Sequence, residues 1–449
     1  MLGHLDNQLI KSVCKRIEGS FSFTFTALGV CSDANRMKPG EIFVPVQGQR
    51  YDGHQLIEAA IENGAIASFW KMEMPLPSTL PEGFPVFFVD DPEVAVRQMA
   101  AQYLFEVDPA TVAVTGDYTR LATKKILARV LSSSYTIHES HHSRGDEISV
   151  VETILSMPRE TDALLCTVSA SSKASITQVS QLLQPSFVII SEFDHSSAKD
   201  SLAISIEEGM KASSTIVLDG DRPEFHREWK TDTMMYGFNE NNLFKVKNIQ
   251  EKDPSVTFQV EGIFMEFEIP LLLSQHVKQV TAVIGMAIHL GIGAEQIYSA
   301  LKSLSLEDLA LDQIGMAKDS VVLFDHDHVE ESDVEYSLGM LKHLHNFKRR
   351  MIIVDEGFQA NPLDKTLHET FATLLDQPIT DVITIGEKAF WVTEALKRID
   401  DDTLSSEHFV NHAQAIDTFI EAIESSSLIM YRGANRDLLE QIITELNSR

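Results

Sequence analysis

The sequence predicts an α/β protein of about three domains, with a P-loop-type parallel sheet in its centre and a Rossmann-like unit at its carboxyl end. Three observations carry this expectation. A chain of 449 residues is too long for a single hydrophobic core. Residues 111–125, TVAVTGDYTRLATKK, read as a short apolar strand (Val112, Ala113, Val114), a turn at Thr115 and Gly116, and a helix whose Ile126, Leu127, Val130 and Leu131 recur at helical spacing. From about Gln313 onward, apolar strands and helices alternate with the spacing of a parallel sheet and its crossover helices.

Composition narrows the classes of function. With 44% hydrophobic and 23% charged residues the chain is of ordinary globular make-up. A net charge of −29 argues against nucleic acid or an anionic membrane surface as partner, because either needs a basic face. An anionic nucleotide remains possible in a locally basic cleft. Cys14, Cys31 and Cys166 are few and far apart, which argues against a disulfide framework or a zinc site and fits a reducing cytoplasm. The first residues, MLGHLDNQLIKSVCKRI, lack an apolar core of signal-peptide length. The most apolar run, Val280 to Ala294, is short and interrupted by His289, so no membrane insertion is expected.

The first domain is expected over 1–107. Pro39-Gly40 makes a turn feeding a strand, Ile42 to Val46, and Asp52-Gly53-His54 turns the chain into a helix with Leu56, Ile57, Ala60 and Ile61 on its apolar face. A Pro-rich patch, Met74 to Pro85, interrupts this domain. A join near Val107 to Ala110 opens the central block, expected over 108–311, which begins with the strand, loop and helix above. A phosphate-binding loop of this shape needs glycines that let backbone N–H groups close on phosphate, a Lys, and a Ser/Thr hydroxyl for Mg²⁺. After a second join near Ser305 to Gln313, the last domain, 312–449, places strands at Val321 to Asp325, Arg350 to Val354 and Asp381 to Ile385. Its helices run through Tyr336 to His345, His368 to Leu375 and Ala389 to Ile399, and Arg432-Gly433 ends a further strand in a turn. Asp325, His326, Asp327 and His328 suggest a metal site, but neighbouring residues at a strand end point to opposite sides, and an exposed acidic loop is the preferred reading.

The loop at 115–124 resembles that of the Mur ligases, T-G-x-N-G-K-T/S-T-x-K, closest to the MurF type, which adds D-alanyl-D-alanine to the peptidoglycan precursor. Thr115, Gly116 and Lys124 fit the pattern, with Thr123 just before that lysine. Thr119 stands for the second glycine, Arg120 for the lysine and Leu121 for the Mg²⁺-binding hydroxyl. A Thr held at positive φ would be strained by roughly 1–3 kcal/mol. Arg is a planar fork where the family has a compact ammonium, and Leu offers Mg²⁺ no oxygen. The first domain carries the fuller likeness: Ser32-Asp33, Arg36 to Val44, Gly48 and Asp52-Gly53-His54 match S-D-S-R-x-V-x-P-G-D-L-F-V-A-L-x-G-x-x-x-D-G-H. The resemblance implies that Ser32, Asp33, Arg36, Asp52, Gly53 and His54 hold the UDP end of a muramoyl peptide, with Ala34-Asn35 a departure from Ser-Arg.

Other family motifs are altered. Arg144 to Ser149 keep only Glu147-Ile148 of G-N-x-N-N-E-I-G. The Mg²⁺-binding Glu falls on Thr167, N-I-x-x-x-H becomes Ser191 to His195, and the segment of the carbamoylated lysine reads Ser201 to Ser205, flanked by Lys199 and Lys211. R-H-N-x-x-N becomes Gln275 to Val280, keeping His276, and D-D-S-Y-N-A-N-P keeps only Asp325. The lost positions are those of phosphate cradling, metal binding and adenine contact, while turn and core positions hold. If each loss cost ~3 kcal/mol of transition-state stabilisation, about 10²-fold apiece, together they would abolish useful turnover. The expectation is a Mur-ligase-like pseudoenzyme that needs no cofactor and binds a UDP-muramoyl precursor or a cell-wall synthesis protein. One alternative is an active ligase using Mg-ATP, in which the degenerate nucleotide site (Thr115, Gly116, Thr119, Arg120, Asp325) works with Arg120, Glu147 and His276 as catalytic candidates. The other is a scaffold or regulatory protein that binds no nucleotide.

Overall fold

The computed structural model describes residues 4–47, 52–116, 119–140, 145–169, 172–191, 203–252, 255–270, 273, 276–305, 312–317, 320–325, 338, 341–342, 347, 349–355, 365–399, 404–424 and 427–433. Among the described residues the strands form three large sheets and one two-stranded ribbon, and each large sheet draws on its own part of the chain.

The first part holds β1 (Leu5–Asp6), β2 (Arg16–Glu18), β3 (Thr26–Ala27), β4 (Gly29–Cys31), β5 (Glu41–Phe43), β6 (Ala67–Lys71) and β7 (Val86–Val89), with helices α1 (Asn7–Val13), α2 (Ile57–Glu62) and α3 (Pro92–Val107). Its sheet runs β2-β7-β6-β5-β4, parallel except at β2, while β1 and β3 pair apart from it. Asp52 caps a tight turn over Gly53–Leu56 that leads into α2. Ile57 and Ala60 enter the core, but Leu56 is 37% exposed. The tighter 3₁₀ winding before α2 turns Leu56 off the face that a regular helix would give it. The Pro-rich patch joins β6 to β7 and packs Met74, Leu76, Leu80 and Phe84 on the outer side of this sheet.

Helix α3 starts on an Asp91 cap with Pro92 in its first turn and ends at Asp108, whose left-handed conformation (φ 51°) closes it. Two residues later the central sheet begins with β8 (Ala110–Thr115) and continues through β9 (Ile137–Glu139), β10 (Ala163–Val168), β11 (Phe187–Ile190), β12 (Thr215–Asp219) and β13 (Asp232–Gly237). These six lie parallel in the order β9-β10-β8-β11-β12-β13. The sheet widens through β14 (Phe244–Lys252), parallel to β13, and then β15 (Ser255–Val260) and β16 (Glu266–Pro270), each antiparallel to the strand before it. The central helices are α4 (Thr119–Leu131), α5 (Glu147–Leu155), α6 (Lys173–Leu183), α7 (Val277–His289) and α8 (Ala294–Lys302).

Alternating strand residues divide the core. Val112, Val114, Leu165 and Ile189 join α4, α7 and α8, whereas Ala113, Leu164, Cys166 and Val188 join α3, α5 and α6. The second cluster runs on into Leu9, Val30, Ile42, Phe69 and Phe87 of the first part, so one apolar core spans both sheets.

The last sheet, β17 (Asp312–Ala317), β18 (Ser320–Asp325), β19 (Arg349–Asp355), β20 (Asp381–Ile385), β21 (Ser405–Phe409) and β22 (Ser427–Arg432), runs β17-β18-β22-β19-β20-β21 and is parallel apart from its β17 edge. Helices α9 (Lys365–Thr373) and α10 (Phe390–Ile399) pack on one face and α11 (His412–Glu424) on the other, the doubly wound arrangement expected of a Rossmann-like unit. Of the helix expected over Tyr336 to His345, Leu338 and Leu341 are described and buried, and the rest lies outside the described residues. No helix among the described residues is long and apolar enough to cross a membrane.

Candidate functional site

In an open parallel sheet the crevice forms at the carboxyl ends of the strands, where the strand order reverses. In the central sheet this is the end of β8, between β10 and β11. Thr115 closes β8 and is buried, and Gly116 follows at φ +148° with Ser191 packed against it. A Cβ on Gly116 would come within 3.0 Å of the Ser191 Cβ, so a glycine is required by the close approach of β11. Asp117 and Tyr118 lie outside the described residues. Thr119 does not adopt the strained positive φ its glycine position suggests: it is the first residue of α4, and the described non-glycine residues at positive φ are Asp108, Gln184 and Asn248.

The hydroxyls of the loop point inward. Thr119 Oγ1 and Ser191 Oγ share a 2.6 Å hydrogen bond, Thr123 Oγ1 lies 3.0 Å from the same Ser191 Oγ, and Thr123 donates to the Thr119 carbonyl at 2.8 Å. Arg120 is 2% exposed, and Leu121 packs against the apolar core under α4. Neither is placed as a surface group reaching over bound phosphates.

One turn further on, Lys124 is enclosed. Its ammonium donates to the Ser140 carbonyl and, at 3.2 Å, to Ser140 Oγ, and lies 3.3 Å from Glu139 Oε2. Lys125 reaches the other Glu139 oxygen at 3.0 Å. Burial works against the Glu139 charge, but the two ammonium groups outweigh it and hold its carboxyl below the ordinary value; burial pushes Lys124 down. Thr167, where the resemblance puts a Mg²⁺ ligand, is fully buried, and its hydroxyl lies 3.4 Å from Ser140 Oγ. Beside it burial pushes the Cys166 thiol up to about 12.

At the end of β12 lies a second charged cluster. Lys278 of α7 bridges Asp219 at 2.8 Å and Asp221 at 3.0 Å, and Asp221 also accepts from the N–H groups of Phe238 and Asn239 and from Asn242. Burial raises the Asp219 carboxyl; at Asp221 burial is outweighed by these hydrogen bonds and by Lys278, and the value falls. His276 is buried at the boundary before α7.

Glu147 opens α5 and is paired with Arg97 of α3, Nη2 to Oε2 at 2.9 Å. Asp52 accepts from the His54 N–H at 3.0 Å and binds its ring Nδ1 at 2.6 Å, which holds the Asp52 carboxyl low. The other His54 ring nitrogen accepts from the Lys71 N–H at 3.3 Å, and the ring stands edge-on to Trp70. Gly53 presses on the Val46 backbone, where a Cβ would come within 2.7 Å. Asp33 folds its own loop by accepting from the Asn35 N–H, and Ser32 is bound to Glu152 of α5. Arg36 is half-buried in the same loop.

In the last sheet Asp325 ends β18 beside Arg432 of β22. His326, Asp327 and His328, like Arg144, His195, Lys199 and Ser201, lie outside the described residues, and Lys211 is exposed. Tyr431 donates to Asp355, with His412 Nε2 3.2 Å from the phenol oxygen and 3.6 Å from the carboxylate. Sequence reasoning missed Glu152, Lys278 and this Asp355–Tyr431–His412 group. Charged residues on otherwise apolar helix or strand segments were the available signal.

A Mg²⁺-nucleotide does not fit the described crevice residues as they stand. Where the resemblance puts a hydroxyl and a carboxylate ligand stand Leu121 and Thr167, and the hydroxyls of Thr119, Thr123 and Ser191 bond to one another.

Residues 114–287 match the family described as the Mur ligase middle domain. The chain is 24% identical over 97% of its length to the UDP-N-acetylmuramoyl-tripeptide–D-alanyl-D-alanine ligase of Bacillus subtilis, 98% of which is covered. It is 20% identical to the Escherichia coli enzyme of that name, with 93% of each chain covered. Its fold is similar to that of MurF from Acinetobacter baumannii, with a TM-score of 0.65 over the whole of both chains at 16% identity. MurF ligase from Thermotoga maritima, solved in complex with ADP, superposes with a TM-score of 0.60 over 93% of this chain and 96% of that one, also at 16% identity.

Proposed function

We propose that this chain, a MurF-type member of the Mur ligase family, is a catalytically silent relative that acts by binding in peptidoglycan precursor synthesis. Its ligand is a UDP-muramoyl peptide or a cell-wall synthesis protein, and its place is the cytoplasm, where those precursors are made. The observation that carries the proposal is the inward commitment of the crevice. Thr119, Thr123 and Ser191 bond to one another, and Lys124 lies between Ser140 and Glu139. Amide ligation through an acyl-phosphate needs charge neutralisation on the transferred phosphoryl group. Leu121 and Thr167 supply none.

Calorimetric titration of the purified protein tests this. Heat with UDP-muramoyl-tripeptide and none with Mg-ATP is the expected result. Substrate-dependent phosphate release in the presence of D-alanyl-D-alanine, abolished by Arg120→Ala, would overturn the proposal in favour of an active ligase. Silence with both ligands would favour a scaffold.

A further inference from the structure

Glu152 is an acidic side chain in an apolar setting. It sits on α5 between Val151 and Ile154, both core residues, and is 4% exposed. A carboxylate so placed is costly unless donors surround it. Its Oε1 accepts from Ser32 twice: from the backbone N–H at 2.7 Å and from the hydroxyl at 2.6 Å. Hydrogen bonds to an ionised acceptor are the short, strong kind, and here both reach across from the first sheet to a helix of the central one, 120 residues away. The negative charge also reaches Cys31, where it adds to burial in raising the thiol.

Ser32 begins a loop that also makes bonds within the first domain. Asp33 accepts from the Asn35 N–H at 2.9 Å, the Arg36 N–H donates to the Asp33 carbonyl at 3.0 Å, and the Ala34 carbonyl accepts from Asn63 at 2.9 Å. These set the shape of the turn; the Ser32–Glu152 pair sets where the turn sits on the central domain. We propose that Glu152 is a positioning residue for the Ser32–Arg36 loop, so that a side chain of the central domain holds the loop with which the first domain meets its ligand. This rests on the proposed binding of a UDP-muramoyl peptide. Glu152 touches no ligand itself, and its effect is transmitted through Ser32.

Two measurements on the full chain separate this inference from the reading it rests on. Titration of the wild type with UDP-muramoyl-tripeptide tests the binding function alone, and its silence would overturn that function. Amide hydrogen exchange of residues 32–36, in the wild type, Glu152→Gln and Glu152→Leu, tests the positioning. Glu152→Gln keeps an acceptor oxygen for the Ser32 N–H, and Glu152→Leu keeps only the bulk. Protection of these amides should fall in the order wild type, Gln, Leu, with the peptide's Kd rising about tenfold in Glu152→Leu, as both hydrogen bonds to the carboxylate are lost and part of their worth is felt at the ligand. Ser32→Ala combined with Glu152→Leu should lower the protection of these amides no further than Glu152→Leu alone, a non-additivity that general loosening of the fold would not give. Unchanged exchange at residues 32–36 in Glu152→Leu, or tighter peptide binding by that variant, would overturn the proposal. Should Glu152→Leu fail to fold, the comparison of Glu152→Gln and Ser32→Ala with the wild type carries the same test.

Discussion

The ammonium of Lys124 and the carboxylate of Glu139 meet 3.3 Å apart beneath the first turns of α4, the lysine 2% exposed and the glutamate 22%. Arg120 holds the place of the phosphate lysine; Lys124, one turn further along α4, is tied inward to Glu139 and Ser140 at the carboxyl end of β9. Replacing Lys124 by Met removes one partner of a buried pair and should cost about 3 kcal/mol in urea denaturation. Lys125→Met removes the more exposed partner, 29% exposed, and should cost under about 1 kcal/mol. Equal losses would mean that the buried lysine is not what holds this corner.

The same pair predicts an acid limb in the stability curve. The two lysines hold the Glu139 carboxyl below its ordinary value against the opposing effect of burial. Its folded value therefore lies below its unfolded one, and the unfolded chain binds the proton more tightly. The stabilisation is complete above the ordinary carboxylate range and disappears as the pH falls through the folded value. Glu139→Gln should flatten that part of the curve, seen as a smaller drop in midpoint between neutral and acid pH.

Glu147 provides a contrast between resemblance and geometry. The resemblance makes it a catalytic candidate, whereas its carboxylate is paired with Arg97 of α3. Arg97→Ala should cost about 1 kcal/mol at low salt and less at high salt, since both partners are partly exposed. Peptide binding should be unchanged. A large loss of binding would place Glu147 at the ligand.

Restoring the loop tests the proposed silence. Thr119→Gly alone should lower stability by about 1–2 kcal/mol, because it deletes the bond to Ser191 and puts glycine in a helix. Thr119→Gly, Arg120→Lys, Leu121→Thr and Thr167→Glu together should give measurable heat with Mg-ATP, which none of the four should give alone. Continued silence of the combined variant would mean that the altered residues near Lys278 also matter.

Much of the fold was legible in local pattern. The run Val112 to Val114 with Ile126, Leu127, Val130 and Leu131 gave β8 and α4, and Pro39-Gly40 and Asp52-Gly53-His54 mark turns in the structure. The antiparallel strands were overlooked although Ser255 to Val260 alternate buried and half-buried residues along β15. Contacts between distant residues were out of reach in principle: nothing local relates Ser32 to Glu152, or Asp219 to Lys278, and a helix pattern does not say whether a lysine on it faces water or a carboxylate. The inward turn of the Thr119 and Thr123 hydroxyls likewise depends on Ser191, which another strand delivers.

Lys278 offers the sharpest electrostatic test. Asp221 keeps three other donors, the Phe238 and Asn239 N–H groups and Asn242, if the lysine is removed. Asp219 is fully buried and receives, besides Lys278, the Asp221 N–H at 3.1 Å. Lys278→Met therefore strands Asp219, and a loss of about 3–5 kcal/mol is expected at neutral pH. Burial already raises the Asp219 carboxyl, and loss of the opposing lysine raises it further. A folded value above the unfolded one means that the folded protein binds the proton more tightly. The relief is complete below the ordinary carboxylate range and vanishes as the pH rises through the folded value. The variant should thus lie closest to the wild type in mild acid and furthest from it at neutral pH, opposite in direction to the Glu139 effect. Adding Asp219→Asn should recover most of the neutral-pH loss, because the stranded group is then an amide. A deficit independent of pH, unrelieved by Asp219→Asn, would assign the role of Lys278 to packing over Phe238, whose ring centre lies 5.6 Å from the ammonium.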